Sequence, residues 1–337
     1  MDKEQLRRID LKNRTKLETV IPLSTPFIIN VDPADSCNFQ CGFCPTGDRK
    51  LMKEIGRPLK TMDFDLFKKI IDDINEFDNP IKVLRLYKDG EPLVNPNFAK
   101  MVAYAKQSNK ILKIDTTTNA SLLTPQRSLE IIEAGLDKIN ISVEGINAEQ
   151  YMSFSKYKID FDKFVENVRF FYENKKQCEV VIKINGDILS KEDKEFFIST
   201  FKNIADGVYI EHIMSCWPNF ELRNGLEVNQ EVALYGQEIA EVSVCPYVFY
   251  SFSINSDGQA SICFLDWSRN LLIGDAKIQN VKDIWISKEM RNYQKMFLKH
   301  ERKNHPICKN CGQLSHGMPD NIDEYASTLL ERLNNGC

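Results

Sequence analysis

The sequence predicts an α/β chain: a parallel sheet covered by helices whose six strands suit a partial (β/α)6 TIM-like barrel, followed by a small C-terminal module. Three observations predict it. Between residues 27 and 213, short β-branched runs alternate with amphipathic helical stretches, the pattern of strands that pair in parallel and return through a helix. After about residue 240 the alternation gives way to two short strands joined by Ser256-Asp257-Gly258, a hairpin signal. Seven of the ten cysteines fall into two groups with ligand-like spacing. The expected division is an N-terminal arm (1–26), the barrel (27–235), the module (236–325) and a tail (326–337).

In chain order, the charged and weakly periodic arm is expected to pack on the barrel. The strand candidates are Phe27 to Val31, Ile81 to Leu86, Ile111 to Thr116, Lys138 to Val143, Glu179 to Ile184 and Val208 to Ile213. Phe64, Phe67, Ile70, Ile71, Ile74 and Phe77 recur at helical spacing behind the cap candidates Thr61 and Asp63, so one apolar stripe can lie on the sheet. Asn95-Pro96 and Thr124-Pro125 each set an acceptor before a proline suited to the first helical position, and Gly135 follows the second helix as a left-handed stop. In the module, strands over Tyr250 to Asn255 and Gln259 to Cys263 precede a helix with Val281, Ile284, Trp285 and Met290 on one face. Chemistry in such an array belongs at the C-terminal edge of the sheet.

A chain of 337 residues with 42% apolar content can bury a sizeable core. A formal charge of -4, a pI near 5.8 and the lack of a Lys/Arg block leave no footprint for nucleic acid or an anionic membrane. A small molecule is the default substrate. The N-terminus has no apolar signal region, and no stretch approaches the roughly 18 apolar residues of a span, so a cytoplasmic chain is expected. Reducing compartments keep thiols reduced, which turns the cysteines from a disulfide framework towards metal binding. Cys178, Cys216 and Cys337 stand outside both groups.

Directly after the first strand, DPADSCNFQCGFCPTG places Cys37, Cys41 and Cys44 on one loop as C-x3-C-x2-C. Three thiolates on one loop can wrap one face of a 4Fe-4S cube and leave the fourth iron open to a ligand. Zinc competes, but its sites pair C-x2-C units with a fourth Cys or His, and no His lies near this loop. The group resembles the cluster motif of the radical S-adenosylmethionine (SAM) superfamily, with Phe43 as the aromatic residue before the last cysteine. The resemblance implies a partial barrel in which the open iron chelates SAM and delivers the electron that cleaves it. A 5'-deoxyadenosyl radical then abstracts hydrogen from a substrate.

Three later segments support the resemblance. Asp89-Gly90-Glu91-Pro92 is similar to the family's GGEP motif, which receives the SAM ammonium, with Asp89 in place of the first Gly. Thr117-Thr118-Asn119-Ala120 resembles its TNG segment, with Ala120 in place of Gly. Ile141 to Gly145 is similar to S-x-D-G, Ser142 meeting SAM and Glu144, one methylene longer than Asp, lying near its ribose. Thr118, Asn119 and Glu144, taken singly, read equally well as strand-end hydrogen bonding.

Cys245, Gly258, Cys263 and the pair Cys308 and Cys311 form C-x12-G-x4-C followed by C-x2-C. Four thiolates close a cube, yet two-plus-two cysteines are equally a structural zinc arrangement. The company of the first group favours iron. The segment resembles the SPASM and twitch extensions of radical SAM enzymes, and the absence of cysteine from Gly312 to Met318 matches twitch, with one auxiliary 4Fe-4S cluster. Its spacing is most similar to 2-deoxy-scyllo-inosamine dehydrogenase-type twitch enzymes. This implies oxidation of a secondary alcohol on a sugar or cyclitol, the auxiliary cluster accepting an electron and a flavodoxin- or ferredoxin-like protein donating to the first.

A general base must reach the hydroxyl. Asp266, beside an auxiliary ligand, and Glu211 and His212, at the end of the sixth strand, are the candidates, with structural hydrogen bonding the plainer reading of His212. Two alternatives stand beside the dehydrogenase. A peptide-modifying enzyme is less expected because about 26 residues precede the barrel, too few for a recognition domain. A redox-neutral epimerase would use Cys216 as hydrogen donor, although a buried structural thiol is the commoner fate of such a cysteine.

Overall fold

The computed structural model describes residues 14–214, 216–223, 225–228, 231–234, 238–317 and 320–335. The first half of the arm, the barrel–module boundary at 235/236 and Cys337 lie outside the described residues.

Six parallel strands form in the predicted order: β1 (Ile28–Val31), β2 (Val83–Arg85), β3 (Ile114–Thr118), β4 (Lys138–Val143), β5 (Glu179–Asn185) and β6 (Gly207–Glu211). The largest boundary shift is at β3, because Ile111 makes only an isolated bridge to Ile81 and regular pairing starts at Ile114. The C-terminal strands β7 (Ser251–Ile254), β8 (Gln259–Ser261) and β9 (Leu272–Asp275) continue the same sheet. Its order is β6-β5-β4-β3-β2-β1-β7-β8-β9, an open sheet rather than a closed barrel. Strand β7 runs parallel to β1 from Ile28↔Ser251 to Val31↔Ile254. The module therefore shares the core's backbone hydrogen bonding, a continuity that strand pattern alone does not show.

The helix Phe64–Ile74 buries Phe67, Ile70, Ile71 and Ile74 as its periodicity requires. Its cap is Asp63, which accepts from Asp65 and Leu66 N–H; Thr61 instead bridges Ala34. Thr124 caps the helix Pro125–Ala134 with Pro125 at its first position, and Gly135 ends it at φ +87°. The Asn95-Pro96 reading needs correction. The following helix starts at Phe98, and the Asn95 side chain instead accepts from Asn97 N–H while its amide donates to the Pro33 and Met62 carbonyls.

The single helix expected after residue 280 is two, Val281–Trp285 and Lys288–Leu298, divided at Ser287, whose hydroxyl accepts from Met290 N–H and starts the second. Trp285 is fully buried against Phe252 and donates to the Leu23 carbonyl, tying arm, module and sheet together. Burying a side chain of that size contributes about 2–3 kcal/mol. The tail forms a helix, Ala326–Asn335, that packs on Lys288–Leu298. Among the described residues no helix is long and apolar enough to cross a membrane.

Candidate active site

The predicted site residues of the barrel lie on the last residues of strands, as Thr118, Ser142 and Glu211 do, or in the loops that follow them. The cysteine loop follows β1 and is pinned by Phe39, buried against Tyr151 and Tyr157. Cys44 N–H donates to the Cys41 carbonyl and Gly47 N–H to that of Cys44, which coils the loop. A Cβ on Gly47 would stand 2.5 Å from the Cys41 carbonyl oxygen, so only glycine lets the chain close that coil.

The loop after β2 lies directly on the cysteine loop. A Cβ on Gly90 would meet the Ala34 and Ser36 carbonyl oxygens at 2.2 and 2.3 Å, and Glu91 N–H donates to Ser36 at 3.0 Å. The Glu91 carboxylate accepts from Thr118 Oγ1 (2.5 Å), Asn119 N–H (2.8 Å) and Leu93 N–H (2.9 Å). One buried side chain thus fastens the ends of β2 and β3, and Pro92 starts the turn behind it. Burial pushes the Glu91 carboxyl up while these donors pull it back. Asn119 reaches Asn38 of the cysteine loop at 2.9 Å. Ala120 sits at φ +53°, a left-handed conformation that favours the glycine of the TNG pattern.

Asp89, the departure from GGEP, has its own environment. Its carboxylate pairs with Lys88 (2.7 Å), Arg269 (3.3 Å) and Arg57 (3.8 Å), and Arg269 also reaches Asp35 at 3.2 Å. Burial alone would raise Asp89, but the three cations outweigh it and hold it ionised, whereas burial and the Asp89 charge push neighbouring Asp32 up. A glycine there would leave these cations short of an anion. Arg269 comes from the module, so this buried group locks the module to the strand ends.

The second set assembles from three places: Cys245 before the turn Tyr247–Phe249, Cys263 after β8, and Cys308 and Cys311 around the turn Cys308–Asn310. Burial raises all seven thiols, and within each set several raise one another further. Gathered thiols of that kind ionise only against a cationic centre. Three thiolates suit a four-iron cube with one iron open, and four could close either a cube or a tetrahedral zinc site.

A cavity of about 210 Å³ opens over β4 to β6, with Phe43, Ser142, Glu144, Lys183, Glu211 and His212 on its wall. Burial pushes the Glu144 carboxyl up to about 7, opposed by the Lys183 charge and reinforced by that of Glu211. Lys183 pairs with Glu211 at 2.8 Å, and His212 Nδ1 lies 2.6 Å from Asp187 Oδ1. Met214, Cys216 and Trp217 continue into a larger space of about 460 Å³. The Cys216 thiol is pushed up to about 12 by burial, then by Cys311 and Cys44, so it senses both cysteine sets, and its carbonyl faces Cys311 Sγ at 3.9 Å.

Asp266 does not line this cavity. Its oxygens accept from Ser261 Oγ, Asn270 N–H and Leu271 N–H, so it braces the loop after Cys263. Trp267 is buried and donates to the Pro218 carbonyl. Cys178, also buried, lies in the core under β5. Sequence reasoning missed Lys183, Arg269, Arg223 and Arg302. Lys183 had a signal, its place near a strand end; the arginines had none, because no local pattern marks which backbone carbonyl or carboxylate a guanidinium will meet.

Comparison with known proteins gives a consistent result. The Radical SAM superfamily description matches residues 31–201, and SPASM, an iron-sulfur cluster-binding domain, matches 245–312. An AdoMet-dependent heme synthase of Methanosarcina barkeri is 25% identical over 53% of this chain and 47% of its own length, so the chain spans about half of that relative. The S-adenosyl-L-methionine-dependent 2-deoxy-scyllo-inosamine dehydrogenase of Niallia circulans is 22% identical over 86% of this chain and 93% of its own. The crystal structure of BtrN with AdoMet and 2-DOIA superposes with a TM-score of 0.57 at 20% identity, covering 88% of this chain and 97% of that one, a likeness of fold.

Proposed function

The chain belongs to the Radical SAM superfamily, and from that premise we propose that it oxidises a secondary alcohol of a sugar or cyclitol to a ketone. The superfamily domain implies SAM and a 4Fe-4S cluster, and the SPASM match an auxiliary iron-sulfur cluster. When bound, these groups supply a hydrogen-abstracting 5'-deoxyadenosyl radical and an acceptor for the electron left on the substrate. The alcohol then loses one hydrogen atom, one electron and one proton, which balances formation of the carbonyl.

In this reading Cys37, Cys41 and Cys44 hold the first cluster and Cys245, Cys263, Cys308 and Cys311 the second. Gly90 and Pro92 bring the β2 loop onto the cysteine loop, Glu91, Thr118 and Asn119 stiffen the SAM-facing edge, and Phe43, Ser142 and Glu144 wall the cofactor side of the cavity. The proton acceptor is drawn from the pairs Lys183–Glu211 and His212–Asp187, which line or adjoin the cavity within reach of a hydroxyl there. A flavodoxin- or ferredoxin-like donor and a reducing, cytoplasmic setting follow from the chemistry.

The observation that carries this reading is a single cavity walled both by Phe43 of the first cysteine loop and by Cys216, whose carbonyl lies 3.9 Å from Cys311 Sγ of the second set. Likeness along nearly the full length of a cyclitol dehydrogenase favours this outcome over peptide modification or epimerisation. The test is anaerobic reconstitution with iron, sulfide and zinc counted, followed by incubation with SAM and a panel of cyclitols and amino sugars. About eight irons, falling to about four in a Cys37/Cys41/Cys44 triple-Ala variant, are expected, with ketone and 5'-deoxyadenosine formed one to one by the wild type. Four irons plus zinc would remove the electron acceptor and overturn the dehydrogenase.

A further inference from the structure

Each cysteine set has an arginine that grips the backbone of its C-x2-C pair. Arg223 Nη2 donates to the Cys41 carbonyl at 2.9 Å and the Cys44 carbonyl at 3.4 Å, while its backbone N–H donates to Gly42. Arg302 Nη1 donates to the Cys308 carbonyl at 2.9 Å and the Cys311 carbonyl at 3.2 Å. The two sit in unrelated segments, one after β6 and the other in the turn Glu301–Asn304. In both, Nε is buried with no hydrogen-bond partner among the described residues. An unmet buried donor costs about 1–3 kcal/mol; Arg57 and Arg269 share that feature, and what sets Arg223 and Arg302 apart is that each bridges both carbonyls of a C-x2-C pair.

Each guanidinium also sets a positive charge beside its cysteine set, Arg223 with Asp48 3.6 Å away. A fixed cation favours the more negative, reduced form of a nearby cluster and so raises its potential.

We propose that Arg223 and Arg302 are positioning residues for the two clusters, each holding the C-x2-C pair of its set by both carbonyls and placing a positive charge beside its cluster. The proposal rests on the two-cluster reading above.

The test uses the full reconstituted chain as wild type, Arg302→Met, Arg302→Lys, Arg223→Met and Asp48→Asn, with iron counted and midpoint potentials read by EPR-monitored titration. The second cluster is read alone in the Cys37/Cys41/Cys44 triple-Ala background. Arg302→Met is expected to lower the second midpoint and leave the first unmoved; Arg223→Met lowers the first, and Asp48→Asn raises it. Arg302→Lys keeps the charge, so its midpoint stays near wild type, but it loses iron to a chelator faster because an ammonium lacks the planar fork. An unchanged second midpoint in an iron-replete Arg302→Met overturns the proposal. Should that variant lose its cluster, the Lys variant decides: an unmoved midpoint supports the proposal and a lowered one overturns it. Wild type without iron would instead sink the cluster reading, before any arginine is changed.

Discussion

Burial raises the Glu144 carboxyl to about 7, and that makes stability depend on pH at a single residue. The folded state holds its proton over a window where the unfolded chain has released it, so this contribution is present in full below the ordinary Glu range and is lost as pH rises through about 7. Glu144→Gln, which carries no charge, should match wild type near pH 4 and exceed it by on the order of 3 kcal/mol above pH 8, read from urea midpoints across that range; parallel curves would refute it. Gly90 answers to sterics instead. Its Cβ would fall on two carbonyl oxygens of the cysteine loop, and backbone cannot rotate away as a side chain does. Gly90→Ala should cost about 3 kcal/mol and weaken retention of the first cluster, checked by melting and by iron content.

Among the elements, the loop after Cys263 and the loops after β1 and β2 are joined by the buried charges of Arg269, Asp35 and Asp89. Removing one partner leaves a buried charge uncompensated, which is worse than removing both. Arg269→Met should therefore destabilise the chain by about 3 kcal/mol, and Arg269→Met with Asp89→Asn by clearly less than the sum of the two single changes. Additive unfolding free energies would show that the contact is incidental. Asp89 was legible in the sequence only as a missing glycine; its partners come from residues 57, 88 and 269, which no local pattern connects. The split at Ser287 was likewise hidden, because the apolar face of Val281, Ile284, Trp285 and Met290 runs across the break and periodicity does not register a new cap.

At the scale of the molecule, pairing of β1 with β7 makes barrel and module one sheet. A chain truncated before Cys245 would leave the β1 edge open and strip Phe252 and Trp285 from the core, so it should aggregate or bind no iron. Ala variants of Cys245 and Cys308 in the full chain should instead stay folded and keep about four irons, because those thiols are not part of the sheet. A soluble truncation that still holds a cluster would show that the two parts fold independently.

The sequence by itself determined the strand order of the barrel, the two cysteine groups and the strand-end segments around Gly90, Thr118 and Ser142, because period, turn residues and ligand spacing are local properties of a chain. Tertiary structure alone decided that the module extends the sheet, that Asp266 braces a loop while Lys183 and Glu211 meet at the cavity, and that Cys216 shares that cavity with Phe43 and comes beside Cys311. Arg223 and Arg302 belong with these, 182 residues from Cys41 in one case and six from Cys308 in the other. A guanidinium's partner is chosen by where the folded backbone leaves a carbonyl free, and no spacing in sequence encodes that.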